Sequence, residues 1–168
     1  LRHLEADGLV ESVPHQGPVV ASLTGDQARQ IYEVRSLLEG RAAAEFALHA
    51  GDEAIAALAA ANARIQQAFE AGDFPQVVAC TTAFYEQMFA GAGMAVAWEI
   101  VRSLNARINR LRLMTIGSPG RHRQAGTEMN RIVRAVRKRD AEAAREAAEA
   151  HVNRAAEIAA RMLAAGAR

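Results

Sequence analysis

Apolar residues recur at spacings of three and four along most of this chain. From Thr24 onward the recurrence runs almost to the C-terminus, which is the pattern of amphipathic helices packed on one another. Thr24 or Asp26 can cap a first helix that runs to about Ala50, with Ile31, Val34, Leu38 and Ala42 on one stripe. Gly51 stops it, and Asp52 can cap a second helix that runs to about Ala71. Gly72–Asp73 makes the next break, and Pro75 suits the first turn of a third helix ending near Gly91–Gly93. A fourth covers about Ala95 to Ile116, with Val101, Leu104, Ile108 and Leu111 as its stripe. Gly117–Ser118–Pro119–Gly120 is the strongest breaker in the chain. A fifth helix follows to about Lys138, and Asp140 can cap a sixth that runs nearly to the end. Short connections between such helices predict an all-α, antiparallel bundle of about six helices.

The first 23 residues follow another pattern. LRHLEADGLV reads as a helix end closed at Gly8. VESVP and GPVVASL are short, Val-rich β-like runs joined by the turn residues of PHQG. A two-stranded hairpin is not stable alone, so residues 1–23 are expected to belong to a larger unit. The chain opens inside a helix without a cap, and more protein is expected upstream of Leu1.

Composition narrows the picture. The length of 168 residues suits one domain, or one domain and a fragment. Much of the 51% hydrophobic share is Ala, a strong helix former. Cys80 is the single cysteine, so no internal disulfide forms, which suits a reducing, cytoplasmic setting. No apolar run approaches the roughly 20 residues that span a bilayer. A net charge of +1 gives no bulk attraction to nucleic acid. No P-loop, dinucleotide glycine pattern, HExxH or nucleophile motif is present, and Cys80 has no His near it in sequence. An enzyme is not expected.

Sites in helical bundles are built from inward-facing polar side chains. Arg35 stands beside the first stripe, four residues before Glu39. It either pairs with Glu39 or clamps a carboxylate with its planar fork. Val77, Thr81, Phe84 and Met88 form the third helix's stripe, with Tyr85 on its border. Thr81 can bond back to its own helix, and Tyr85 can be packing, or the two can line a cavity. His151 lies on the inward face of the last helix with Ala144, Ala148, Ala155, Ile158 and Met162. It is a core residue, a ligand, or a pH-sensitive group. Met129 lies inward on the fifth helix with Ile132, Val133 and Val136. Arg121 and His122 are either a surface pair or a lid over a pocket mouth.

Taken in order, these stretches resemble the GntR family of bacterial transcription regulators, and within it the FadR-like subfamily. LRHLEADGLVESVPHQGPVV is similar to the end of a recognition helix plus the wing of a winged helix-turn-helix. YEVRSLLEGRAAAEFA is similar to the first helix of the family's effector-binding domain, with Arg35 and Glu39 in its Arg and Glu positions. Gly72–Asp73, Phe84, Arg121, Asp140 and His151 fall where later family motifs put such residues. The resemblance implies a wing remnant over 1–23 and an effector-binding and dimerisation domain over 24–168. It implies operator DNA and a small organic acid as partners, with the wing tip at His15, Gln16 and Gly17 near the DNA. Many members of the subfamily hold a divalent metal through an Asp and three His. Here those positions are Thr81, Tyr85, Met129 and His151, and only the last is retained. Thr, Tyr and Met are poor ligands for such ions. The expectation is therefore a metal-free pocket binding an acid through Arg35, Thr81, Tyr85, Arg121, Met129 and His151. The alternative is a domain that has lost its effector and serves only to dimerise.

Overall fold

The computed structural model describes residues 10–13, 17–20 and 23–166, the two short stretches in backbone only. Val10–Val13 (β1) and Gly17–Val20 (β2) form an antiparallel pair, with Val10 opposite Val20 and Val13 opposite Gly17. His15 and Gln16 lie outside the described residues.

Seven helices follow: α1 Gly25–His49, α2 Asp52–Glu70, α3 Phe74–Gly91, α4 Ala95–Ser103, α5 Asn105–Ile116, α6 Arg121–Arg137 and α7 Ala141–Gly166. Thr24 caps α1 in a reciprocal box with Gln27. Asp73 caps α3 by accepting from the Gln76 N–H, and Asp140 accepts from Ala143 at the start of α7. Asp52 does not cap α2. Gly51 holds that position without a side-chain bond, and the Asp52 carboxylate instead takes Arg139 at 2.7 Å. Gly120, at the end of the Gly–Ser–Pro–Gly break, turns into α6 with φ 74, a conformation that suits a residue without Cβ.

One expected helix is two. The run from Ala95 to Ile116 breaks at Leu104, whose N–H bonds back only three residues, to Val101. Neither Gly nor Pro marks the break. Ser103 spends its hydroxyl on the Ile100 carbonyl at 2.7 Å, a local bond that competes with continued helix.

The largest interface joins α1 to α7. Small residues permit it: Ala42, Ala43 and Ala47 on α1 and Ala144, Ala148 and Ala159 on α7 are all buried. α2 packs on α3, α6 on α7, and α5 leans on α3 and α7. The aromatic and sulfur side chains of α3, Phe84, Tyr85, Met88 and Phe89, are buried at the centre, and each such burial stabilises by about 1.5–3 kcal/mol. The stripes expected on α3 and α6 are the buried ones. The stripe expected on α1 is rotated: Tyr32, Arg35 and Glu39 face inward, while Val34 and Leu38 are only half-buried.

Phe46 fills the space left by Gly91. A Cβ on Gly91 would stand 2.3 Å from the Phe46 ring, which is fully buried and has no room to retreat. Gly91→Ala is therefore expected to destabilise the protein by about 1–3 kcal/mol through overpacking, despite alanine's better helix propensity. Chemical denaturation checks this; unchanged or increased stability would mean that α1 and α3 do not approach this closely.

Candidate functional site

Side chains from α1, α2, α3, α5, α6 and α7 line one partly open cavity of about 50 Å³. That is room for a few waters. Five of the six side chains expected at an effector site line it: Arg35, Thr81, Arg121, Met129 and His151. Tyr85 does not. Its ring stands edge-on to Phe84 with centroids 5.4 Å apart, and the Arg112 guanidinium lies 5.5 Å from its centroid on another side.

Arg35 is both ion-paired and cavity-lining, so the two readings open in the sequence hold together. Its Nε donates to Glu39 Oε1 at 2.8 Å and its Nη2 to Oε2 at 3.3 Å. Both side chains are almost wholly removed from solvent. Burial works against the charge on Arg35, and the Glu39 carboxylate outweighs it, so the guanidinium pKa rises. Tyr32 stacks at 5.4 Å from the same guanidinium.

Arg121 is neither a surface group nor a lid. It is buried and places Nη1 at 3.0 and 2.9 Å from the two oxygens of Glu128. His122 beside it is exposed. Glu128 also meets His151, with Oε2 2.7 Å from Nδ1. Burial opposes ionisation of Glu128, but its bond to His151 and the Arg121 charge hold the carboxyl below its ordinary value. Burial pushes the His151 imidazole down, and the Arg121 charge adds to this against the pull of Glu128. The ring is therefore neutral near pH 7, and its one proton sits on Nδ1, facing the carboxylate.

Arg112 is the third guanidinium on the cavity wall. Its Nη1 donates to the Thr82 hydroxyl and to Asn109 Oδ1, each at 3.0 Å. Those partners are neutral, and no carboxylate pairs with it among the described residues. Burial, then the nearby Arg35 charge, push its pKa down to about 10. It still carries a positive charge at neutral pH. Three guanidinium groups thus face two carboxylates, Glu39 and Glu128, which leaves one positive charge uncompensated around the cavity.

Neither Arg112 nor Glu128 was singled out from the sequence. Arg112 stands four residues after Ile108 and Glu128 four before Ile132, each beside an apolar stripe. That bordering position is the signal that could have found them.

The residues at the four positions where the resembled subfamily holds its metal do not suit a divalent ion. Thr81, bonded to the Val77 carbonyl at 2.7 Å, offers a neutral hydroxyl where such ions favour a carboxylate or imidazole. Burial, then Glu39, push the Tyr85 pKa up, so it stays a phenol. Met129 offers a thioether, and His151 remains the lone good donor.

Comparison with known proteins follows the same line. The family model of the FCD domain matches residues 30–154. A relative in Agrobacterium vitis, described as an uncharacterized HTH-type transcriptional regulator in the TAR-I ttuE-ttuC' intergenic region, is 33% identical over 95 residues. That alignment spans 55% of this chain and only 56% of the relative. Among solved structures, E. coli McbR/YncC superposes with a TM-score of 0.83 at 20% identity, over 95% of this chain and 81% of that one. A putative transcriptional regulator GntR from Rhodococcus sp. RHA1 gives 0.76 at 21% identity, over 98% and 77%. At these identities the two structures share the fold.

Three outcomes follow from the geometry. Arg35→Met leaves Glu39 buried without its partner and is expected to cost about 3–5 kcal/mol in denaturant unfolding; a cost below about 1 kcal/mol would contradict the pair's burial. The Tyr85 hydroxyl lies beside Glu39 without meeting a partner in full hydrogen-bond geometry, so Tyr85→Phe should cost less than about 1 kcal/mol in denaturant unfolding; a larger loss would show that the hydroxyl bonds the Glu39 carboxylate. The third concerns acid. The unfolded chain protonates His151 near its ordinary 6.5, the folded chain only at lower pH, so stability falls as pH drops below about 6.5. The depressed Glu128 carboxyl adds a second loss, below its ordinary 4.5 and through its folded value. His151→Gln should flatten the first window and, by removing the bond that helps hold Glu128 down, shrink the second. Melting temperatures from about pH 7 to about pH 5 decide it, and an equal slope in both proteins would remove His151 as the cause.

Proposed function

The chain belongs to the FCD domain family of GntR-type transcription regulators, and on that footing we propose that its bundle binds a small carboxylic acid directly, without a metal. It belongs to regulators, not enzymes. The observation that carries the reading is Arg112, a partly buried cation on the cavity wall whose hydrogen-bond partners among the described residues are neutral. A charge drawn out of water without a counter-charge is costly, and an incoming carboxylate removes that cost. Arg35 and Arg121 stand on the same wall, and a guanidinium fork suits a carboxylate.

The acid would act on DNA through a homodimer. Residues 1–23 are the end of a winged helix-turn-helix in this reading, and 24–168 the effector and dimerisation domain, with His15, Gln16 and Gly17 at the wing tip near the operator. A ligand that binds one dimer arrangement better than another shifts their populations, and so the spacing of the DNA-reading heads. No helix among the described residues is long and apolar enough to cross a membrane, which accords with a regulator acting on DNA in the cytoplasm.

A second reading has an observation of its own. The cavity is about 50 Å³, well under the roughly 300 Å³ at which ligand pockets begin. A bundle that has closed its pocket would serve only to dimerise.

Thermal unfolding of the full-length regulator with acetate, propionate, lactate and succinate separates the two. Acid binding at a hundredfold excess over Kd adds about 2.7 kcal/mol, or roughly 5–10 °C for a domain of this size. Arg112→Met is expected to be at least as stable as the parent without acid, and to lose about ten- to hundredfold in affinity with it. No stabilisation by any acid in the parent protein would favour the dimerisation module; full stabilisation of Arg112→Met would remove Arg112 from the site.

A further inference from the structure

We infer that the groove between the first turns of α1 and the last turns of α7 is the seat of the Val-rich hairpin of the same chain, β1 and β2. The regulator reading above enters only through what the hairpin carries, the DNA-reading unit. The docking itself stands whether or not the inner cavity takes an acid.

The groove has a volume of about 650 Å³ and shares no lining residue with the inner cavity. Ala28 and Tyr32 on α1 line it together with Ala156, Ala160 and Leu163 on α7, and its wall is almost wholly apolar. Apolar surface gathered in one groove is costly to leave in water. The charges on its rim already have partners. Arg29 donates to Asp26 and to Glu33, each at 2.6 Å, and Glu157 accepts from Arg154. A charged partner therefore finds no open charge there, and an apolar segment fits the wall.

The hairpin is the apolar segment that the chain delivers to this place. Leu23 is half-buried against the core, Thr24 caps α1 in its box with Gln27, and Gly25 lines the groove. The chain thus enters the bundle at the groove's edge. Only residues 21 to 24 join β2 to α1, so Val20 lies within roughly 17 Å of Gly25. A tether this short keeps the hairpin at an effective concentration of about millimolar or more. β1 and β2 read VESV and GPVV, half of them valine. Their side chains lie outside the described residues. A two-stranded hairpin needs apolar cover, and a sheet has two faces, so its own unit can cover one and the groove the other. Val10 is opposite Val20 at the end that leads to α1, and Val13 is opposite Gly17 at the far end. Seating the first end leaves the tip about 10 Å away along the strands, free for DNA.

Tyr32 ties this groove to the inner cavity. It lines the groove, and its ring centroid stands 5.4 Å from the Arg35 guanidinium, which lines the cavity. A docked hairpin therefore touches a side chain that in turn touches the cavity wall.

Disulfide trapping in the full-length protein, with Cys80→Ser as background, tests the inference. Val20→Cys combined with Ala160→Cys is expected to close an intrachain disulfide under mild oxidation, in a yield independent of protein concentration. Val20→Cys with Arg134→Cys should not. Arg134 lies near the end of the bundle where Arg139 bonds the Ala50 carbonyl, one length of α1 or roughly 37 Å from the groove's edge. A second arm needs no disulfide geometry. Ala160→Glu sets a charge into the groove at an exposed position of α7, where glutamate keeps good helix propensity. Hydrogen exchange at the amides of residues 19 to 24 should then quicken about tenfold or more, while α2 and α3 exchange as in the parent. Faster exchange without a disulfide still supports the docking, with Val20 seated away from Ala160. A disulfide whose yield rises with protein concentration would give the groove to a second copy's hairpin and overturn the intrachain seat. Equal trapping by both pairs would mean a hairpin with no seat. No disulfide together with unchanged exchange in Ala160→Glu would overturn the docking and leave the acid reading standing.

Discussion

Arg35 and Glu39 sit four residues apart on the innermost face of α1, buried to 2% and 0% of their surface. Two charges in that position must satisfy each other, with the Tyr85 phenol beside them. Such a pair adds little net stability over a well-packed apolar one, but losing either partner is expensive. It therefore acts as a constraint. The helices that pack on α1 must leave the pair intact, and the outer edge of the Arg35 guanidinium becomes part of the wall where six helices meet. The neighbouring Arg112 and Tyr85 both titrate differently because of this pair.

The other buried charges are arranged around that fixed point unevenly. Glu128 serves two partners, Arg121 and His151. Arg112 has no acidic partner among the described residues and rests on Thr82, Asn109 and the Tyr85 ring. Hydrogen bonds to neutral groups offset part of its desolvation and none of its charge. That imbalance is what the proposed acid would relieve, because a helical bundle can accommodate an apolar residue at that place at no electrostatic cost. It also explains why the retained His151 is turned toward a carboxylate: Glu128 holds both the charge of Arg121 and the orientation of the ring.

Much of the bundle was legible in the sequence. The stripes of α3 and α6, the caps at Thr24 and Asp140, and the breaks at Gly72–Asp73 and Gly117–Gly120 follow from local chemistry. The rotation of α1 was not legible, because Val34, Leu37 and Leu38 outweigh Arg35 and Glu39 on any hydropathy scale, although Leu37 is 71% exposed. The ion pair lets the polar face turn inward, and pairing is not visible in periodicity. The break at Leu104 was hidden for a similar reason: it depends on one serine hydroxyl and carries no Gly or Pro. Arg112 and Glu128 were missed because one partner of each lies on another helix, 30 residues away for Thr82 and 23 for His151. The positions at Thr81, Met129 and His151 were legible as inward-facing and Arg121 was not, while the cavity they share depends on how six helices close.

The central claim is that the bundle takes a small acid by charge alone. The most direct measurement is the affinity of the full-length protein for the acid that stabilises it, before and after exhaustive dialysis against a chelator. The account predicts the same affinity in both, since Arg112 and its neighbours need no ion to hold a carboxylate. Loss of binding after chelation, restored by zinc or manganese, would contradict it.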